Sequence, residues 1–456
     1  MSYLMPVQTG HPHLFSRIIK LALPVAIQSA LVSILALADV LMVSEFGKEA
    51  TAAVGIASKW HFVAIMIMAG LSVSNGVLVS QYWGKDDRNS AKSVTLYAMR
   101  VGALIILPVT VIITLFSGFI MQAQTMDLRV IELGSQYLWY SFPVLILTHF
   151  VIVLESSMRS SGDATSPLYV GALTVFLNIA LNFWLIQGGF GVAPMGVAGA
   201  ALATTIARFV QIVLMYSYMR YRHHWLFSSQ RVASPEKLHA SYRKLAIPNA
   251  SNGLLWAVGT LTYQMIFGHI GTTELAVFSM LGPFESLCYA TFFGLSVACS
   301  VLIGQSLGKD QFDQAVQLTR ILLKFVLIFG LILGVTLFTT KEWILTLLNL
   351  DGKAFYHLSL PAISILCCGI WLRMLNLIII NGILRSGGDN LFCLRMDFIA
   401  MWLVGIPLTA YGAFIGEWGF SWVYAMLLIE EVVKFSLCFH RYLKLKWVNN
   451  LTLSHA

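Results

Sequence analysis

Long apolar runs dominate the chain, and they leave few folds open to it. About twelve can be marked, at residues 15–43, 54–82, 93–122, 131–156, 166–187, 195–219, 242–269, 278–306, 315–340, 357–384, 391–415 and 418–441. A run of about 20 apolar residues crosses roughly 30 Å of hydrocarbon as a helix. In lipid every backbone polar group needs an internal partner, so a spanning chain forms helices or a closed barrel. Barrel strands read as short alternating segments. These runs are long and continuously apolar, so the expected fold is an all-α membrane protein. Composition points the same way. The chain is 58% hydrophobic and only 11% charged, against roughly 25% charged in soluble domains, so such a core would have nowhere to hide in water.

The chain also repeats itself. KLALP at 20–24 returns as KLAIP at 244–248, and GLSV at 70–73 returns at 294–297. QYWGKD at 81–86 returns as QSLGKD at 305–310, at the same offset, and MRSSGD at 158–163 returns as LRSGGD at 384–389, at very nearly that offset. Four matches in one order define two six-helix units: an N-terminal lobe at 1–219, a linker at 220–241 and a C-terminal lobe with its tail at 242–456. The linker is polar and basic and contains Pro235. Six is an even number, so both units enter the membrane from one side. Parallel repeats of this kind are typical of transporters, whose substrate site lies between the halves.

Lysine and arginine set the orientation. With the N-terminus inside, 23 of the 29 fall in cytoplasmic termini, loops and adjoining helix ends, and five (Lys48, Lys59, Arg129, Lys341, Lys353) fall outside. Arg373 is left as the one cation clearly within a span. Both termini are expected to be cytoplasmic, and the net charge of +8 needs no nucleic acid to explain it. The first span is expected to be a retained helix, because MSYLMPVQTGHPHLF lacks a basic region before a short apolar core. The six cysteines lie in or beside apolar spans without metal-site or disulfide spacing, and read as small buried hydrophobes. The glycines of both GKD and both RSxGD loops are expected to close helices in the left-handed conformation.

With these features in place, the chain resembles the multidrug and toxic compound extrusion (MATE) transporters. The KLALP opening, Asp39 fifteen residues after Pro24, both RSxGD loops and GVAGAALAT at 196–204 carry the likeness over roughly residues 15–440. The resemblance implies a secondary active exporter of cationic, amphipathic organic compounds, driven by protons or sodium, in the plasma (inner) membrane. It implies no cofactor beyond the ion gradient. Flippases for lipid-linked sugars belong to the same superfamily and are the alternative.

Asp39 is the residue least at home in its run. A carboxylate at mid-helix costs about 2.5–3.5 kcal/mol on insertion scales. It lies five residues before Ser44 at the outer end of the first span, about 7.5 Å at 1.5 Å per residue. Asn182 is similarly placed in the fifth span, Asn178 lies one turn deeper on the same face, and Thr204 is about 12 Å into the sixth. If these helices adjoin, the four side chains share a pocket. The resemblance assigns the same four residues to the coupling site. Amides donate to an ionised carboxylate and accept from a protonated one, so Asp39 can exist in both states. Its alternative is structural: reaching water or bonding Asn182 as glue. Pro24 weakens the helix near residue 20 and is a candidate kink.

In the second half the position that the repeat matches to Asp39 is Tyr263, so that lobe has no acid there. The resemblance places a second cation site of some relatives at Trp256 and Met374, neither of which can hold an ion. Coupling through Asp39 by protons is therefore preferred, with sodium at Asp39, Asn178 and Asn182 as the rival. Glu285, Met66 and Trp256 are candidates for the substrate cleft, and Met42, Met68, Trp60 and Phe62 for an adaptable apolar surface. Glu155, four residues before Arg159, reads as an ordinary intrahelical pair. Glu430 and Glu431 could line the cleft or answer Lys434 and Arg373, but the sequence places no partners for them or for Glu285. No HExxH, GxSxG or P-loop pattern points to an enzyme. The expected partners are small organic cations, protons or sodium, and the bilayer, with the chain acting as a monomer.

Overall fold

The computed structural model describes residues 12–189, 191–227, 235–348, 350 and 352–453. The N-terminal stretch before residue 12, linker residues 228–234 and the side chain of Lys353 lie outside the described residues. Within them the chain is helical, with one isolated bridge at Gly189 and Val192. The first lobe comprises α1 (Pro12–Ser44), α2 (Lys48–Gly84), α3 (Arg88–Leu115), α4 (Ser117–Gln122), α5 (Leu128–Tyr140), α6 (Phe142–Ser160), α7 (Thr165–Gln187) and α8 (Gly196–Tyr221). The second comprises α9 (Pro235–Ile270), α10 (Thr272–Gly308), α11 (Phe312–Thr339), α12 (Lys341–Leu347), α13 (Lys353–Leu377), α14 (Asn390–Asp397), α15 (Ile406–Phe414) and α16 (Phe420–Leu443).

Ten helical stretches among the described residues are long and apolar enough to cross a membrane. The helices α9 and α16 match the remaining two expected spans. They are less apolar because α9 carries Asn249, Ser251 and Asn252, and α16 carries Glu430, Glu431 and Lys434. The expected single span at 131–156 is in fact two helices. Its chain breaks at Ser141, and Pro143 sits in the first turn of α6, where its missing N–H is no loss. α13 runs on as a π-helical turn at Ile378–Leu384, and a second π-helical stretch, Phe398–Gly405, joins α14 to α15. By contrast α1 passes through Pro24 as one helix.

The repeat is visible in backbone geometry. Gly162 and Gly388, the glycines of the RSxGD loops, have φ of 100° and 84°, as expected for left-handed closures. The GKD glycines behave differently from the expectation. The left-handed residues there are Asp86 (φ 61°) and Asp310 (φ 60°), since aspartate tolerates that conformation as a single residue. Gly84 and Gly308 end their helices and serve close packing instead. A Cβ on Gly84 would overlap the Gln305 backbone, and one on Gly308 would overlap the Gln81 backbone.

The same device holds the lobes together elsewhere. A Cβ on Gly70 of α2 would overlap the Asn249 backbone of α9, and one on Gly294 of α10, its match in the repeat, would overlap that of Ala22 in α1. Small residues let membrane helices approach closely where the hydrophobic effect does not drive association. The first helix of each lobe therefore begins on the other lobe. Ile18, Leu21 and Val25 of α1 belong to the apolar cluster of the C-terminal lobe, and Leu238, Tyr242, Leu245 and Ala246 of α9 belong to one in the N-terminal lobe.

The cysteines are free. Cys299, Cys367, Cys393 and Cys438 are buried as expected, but Cys368 is exposed and Cys288 half-buried. On a membrane helix an exposed apolar side chain meets lipid, so the exposure carries little cost.

Candidate functional site

The N-terminal lobe brings its four expected residues together as two bonded pairs. Asn182 on α7 donates its Nδ2 to Oδ1 of Asp39 on α1. One turn deeper, Asn178 donates to Thr204 Oγ1 on α8 at 3.4 Å. Both asparagines are buried, and Asp39 and Thr204 are half-buried. Two acceptors, Asn178 Oδ1 and Asn182 Oδ1, are buried without a partner, so the pocket keeps unused oxygen lone pairs beside the carboxylate. The threonine also bonds the Ala200 carbonyl at 3.1 Å, the usual back-bond of a helical threonine.

Asp39 is not the solitary charge that the sequence suggested. Arg208 of α8 lies within electrostatic reach of both Asp39 and Glu155. It sits mid-helix, thirteen residues before Tyr221, so Arg373 is not alone among cations within spans. Tyr137 of α5 also lies within electrostatic reach of Asp39, and its ring lies 5.8 Å from that of His61. Spacing gave no hint of Tyr137, whereas an arginine inside an apolar run was a signal available at 208.

Glu155 is more than one end of an intrahelical pair. Arg159 does meet it at 3.3 Å. Its other oxygen accepts from Gln28 Nε2 at 2.7 Å and from Gln211 Nε2 at 3.1 Å. Gln211 in turn accepts from Arg208 at 2.7 Å. A chain of polar contacts thus runs from Arg159, the arginine of the RSSGD loop, to Arg208 beside Asp39.

The acids of the C-terminal lobe have partners after all. Glu285 of α10 pairs with Arg373 of α13, whose Nε lies 4.0 Å from Glu431. Lys434 reaches Glu430 at 2.6 Å, Glu431 at 3.8 Å and Asp397 at 3.9 Å. Tyr263, the counterpart of Asp39, donates its hydroxyl to Glu430. Asn376 donates to Glu431 Oε2 at 2.7 Å. Asn252 donates to Asp397 at 2.7 Å and accepts from Arg385 at 2.7 Å. Lys434 stands at helical spacing from Glu430 and Glu431 on α16, whereas the partners on α9, α10, α13, α14 and the turn after α13 are beyond what local spacing could announce.

The apolar candidates divide. Met66 presents its backbone to Gly253 across the α2–α9 contact, and Trp256 lies 6.0 Å from Phe62 across the same contact, ring to ring. Both therefore sit where the lobes meet. Met68 is fully buried and has no surface to offer a substrate. Among the described residues no cluster of His, Cys, Asp and Glu could hold a metal ion.

Comparison with known proteins agrees with this architecture. A sequence profile of the MatE family matches residues 24–184 and again 248–411. The probable multidrug resistance protein YoeA of Bacillus subtilis is 24% identical over 416 residues, 89% of this chain and 88% of that protein. The probable multidrug resistance protein NorM of Thermotoga maritima is 22% identical over 443 residues, covering 97% and 95%. In fold, the chain is similar to a crystal structure of the Vibrio cholerae MATE transporter VcmN carrying asparagine in place of one aspartate, with TM-score 0.87 at 18% identity over 96% of this chain and 98% of that one. One profile fits each six-helix half in turn, over most of the chain, and this protein belongs to the MatE family of membrane transporters.

Proposed function

We propose that this transporter is a multidrug exporter that expels cationic, amphipathic organic compounds in exchange for protons, with Asp39 as the coupling carboxylate. We place it in the plasma (inner) membrane with both termini and the linker cytoplasmic, following the lysine and arginine distribution. The bond from Asn182 to Asp39 carries the reading. It ties α1 to α7 through a group whose hydrogen-bonding role reverses with its charge. When ionised, Asp39 accepts from Asn182 and is attracted to Arg208. When protonated, it loses that attraction and becomes a donor, and the unpartnered Asn182 Oδ1 is an acceptor within the same side chain. An amide that turns over thus serves both states.

The displacement has a route to the other lobe. Asp39 lies in the outer half of α1, while Ala22 and Ala26 in its inner half pack on Gly294 of α10. A shift of α1 at Asp39 therefore bears on the contact between lobes, with Pro24 lying in that contact segment. Glu285, Met66 and Trp256 are proposed to border the substrate path.

The two buried, unpartnered asparagine oxygens favour a second reading, in which sodium binds at Asp39, Asn178 and Asn182. The deciding experiment is transport of a fluorescent organic cation in proteoliposomes under imposed pH or sodium gradients. Proton-driven transport is expected, falling at least about tenfold in Asp39→Asn, a factor equivalent to about 1.4 kcal/mol. Proton-driven transport that survives in Asp39→Asn removes the coupling role. Transport driven by sodium and indifferent to pH selects the second reading.

A further inference from the structure

The proposed function leaves unused one element of the repeat, the glutamine that opens each QxxGKD motif. Gln81 is fully buried at the end of α2. Its Nε2 donates to the Ser386 carbonyl at 2.8 Å and to the Asn449 carbonyl at 3.3 Å. Gln305, at the matching place in α10, donates to the Ser160 carbonyl at 3.1 Å. Ser160 and Ser386 occupy the same position in the two RSxGD loops. Each lobe thus holds the other lobe's loop with the same side chain, and Gly84 and Gly308 permit the approach.

The oxygens of the two glutamines are treated differently. Gln305 Oε1 accepts from Arg17 at 3.3 Å in an exposed contact. Gln81 Oε1 accepts from the backbone N–H of Leu451, in the tail beyond α16, at 2.7 Å. The tail is fixed to its own lobe. Trp447 is fully buried against Gly387, Asn449 Nδ2 bonds the Gly387 carbonyl at 3.3 Å, and Asn450 bonds Asp310 at 2.8 Å. From Asn449, whose carbonyl already meets Gln81, it crosses to lay Leu451 against the N-terminal-lobe cluster that contains Leu71, Val77 and Tyr82.

We propose that residues 449–453 form a strap that holds this end of the transporter shut and must leave Gln81 before the lobes can part there. Because Trp447 anchors the strap on the C-terminal lobe, separation of α2 from α10 draws Leu451 away from Gln81. Without the Leu451 N–H a buried acceptor is left unsatisfied, which is costly, so the strap favours the state in which Gln81 grips Ser386. In the orientation proposed above this is the cytoplasmic side. The inference rests on alternate opening of two lobes and is independent of the ion and the substrate, so its failure would leave the role of Asp39 standing.

The test is a distance measurement between spin labels at Arg88→Cys and Lys309→Cys, one beyond each lobe's GKD glycine, with the native cysteines replaced and the protein in lipid nanodiscs. Deletion of residues 449–456, which retains Trp447, is expected to raise the ratio of open to closed molecules at this end about tenfold. Gln81→Ala, which also loses the bond to Ser386, is expected to open this end at least as much, and the two changes combined are expected to give less than the product of their separate effects, because the bonds between Gln81 and the tail are lost in both. Gln305→Ala is expected to give about threefold at most. A second pair, Gln81→Cys with Leu451→Cys, covers the case in which the deletion misfolds. Its disulfide is expected to keep the labels at the closed distance at every pH, with release by reductant. A folded deletion variant with an unchanged distance distribution, or an oxidised pair that still opens, overturns the proposal.

Discussion

In the N-terminal lobe Arg159 meets Glu155 on its own helix, and Gln28 of α1 donates to the same carboxylate. In the C-terminal lobe Arg385, at the matching place in the repeat, meets Asn252 of α9, the counterpart of Gln28, and Asn252 turns to Asp397 of α14. The position matching Glu155 is Asn381, and the position matching Asp397 is Gly171. A Cβ at Gly171 would lie 3.2 Å from Gln28 Nε2. The longer amide thus faces the glycine, and the shorter amide faces the aspartate. What the duplication has kept is an arginine, half-buried in the first lobe and buried in the second, with an amide and an acid. The helix that supplies the acid has changed, because a charge within the membrane needs a counter-charge and not a counter-charge from one particular residue.

The outer partners differ in the same spirit. Asp39 on α1 faces Arg208 on α8, whereas Tyr263 on α9 serves an acid, Glu430, that α16 supplies next to Lys434. The C-terminal cluster holds four carboxylates, Glu285, Asp397, Glu430 and Glu431, against three cations, Arg373, Arg385 and Lys434. The hydroxyl of Tyr263 and the amide of Asn376 stabilise the excess negative charge there. The N-terminal network has two of each, and its one half-buried acid is Asp39.

The comparison is broken most forcefully by removing an acid. Asp397→Ala deprives Asn252 Nδ2 of its acceptor and takes the most distant of three carboxylates from Lys434, and should cost about 1–3 kcal/mol, read as lost folded yield and a lower unfolding midpoint in detergent. Glu155→Ala should cost the N-terminal lobe a similar amount. Pairing Glu155→Gln with Gly171→Asp, which copies the second lobe's arrangement into the first, should recover about 1–2 kcal/mol relative to Glu155→Gln alone, the coupling expected of neighbours. No recovery would mean that the helix supplying the acid matters after all.

Tyr263→Phe deletes one charge-assisted hydrogen bond and should cost about 1.5–3 kcal/mol of stability while retaining gradient-driven transport. Its counterpart Asp39→Asn should show the reverse pattern, losing transport and keeping its fold. Gly308→Ala pushes a methyl into the Gln81 backbone and should cost about 1–3 kcal/mol, with Gly84→Ala matching it if the α2–α10 crossing is as symmetric as it looks. Gly162→Ala strains a left-handed residue in open space, about 1 kcal/mol. Gly388→Ala should cost more than that, since Leu451 Cδ2 lies 2.7 Å from the added methyl. Thermal unfolding of the two variants side by side measures the difference.

Much of the fold was legible because lipid demands helices of a given length and because duplication leaves matching motifs at a fixed offset. Asp39, Asn178, Asn182 and Thr204 could be grouped from depth alone, since rise per residue converts position into distance. Arg208 was missed although it stands inside an apolar run, because it was grouped with the basic helix ends. The GKD glycines were misread because left-handed closure and close helix approach both call for glycine, and only the neighbouring helix distinguishes them. Glu285 lacked a partner in the sequence because its cation, Arg373, lies on another helix, whereas Glu430 and Glu431 had Lys434 at helical spacing and Arg373 as candidate answers, with nothing in the sequence to choose between that and a place in the cleft.

By itself the sequence determined an all-helical membrane protein of two similar halves, and the isolated acid near the outer end of its first span. Both follow from local chemistry: the transfer cost of charge and backbone into hydrocarbon acts residue by residue. The tertiary structure decided which helix answers which charge, that the first helix of each half begins on the other half, and that the tail closes over Gln81. Those outcomes depend on contacts between residues as much as 370 positions apart, set by how helices pack rather than by anything within a single turn.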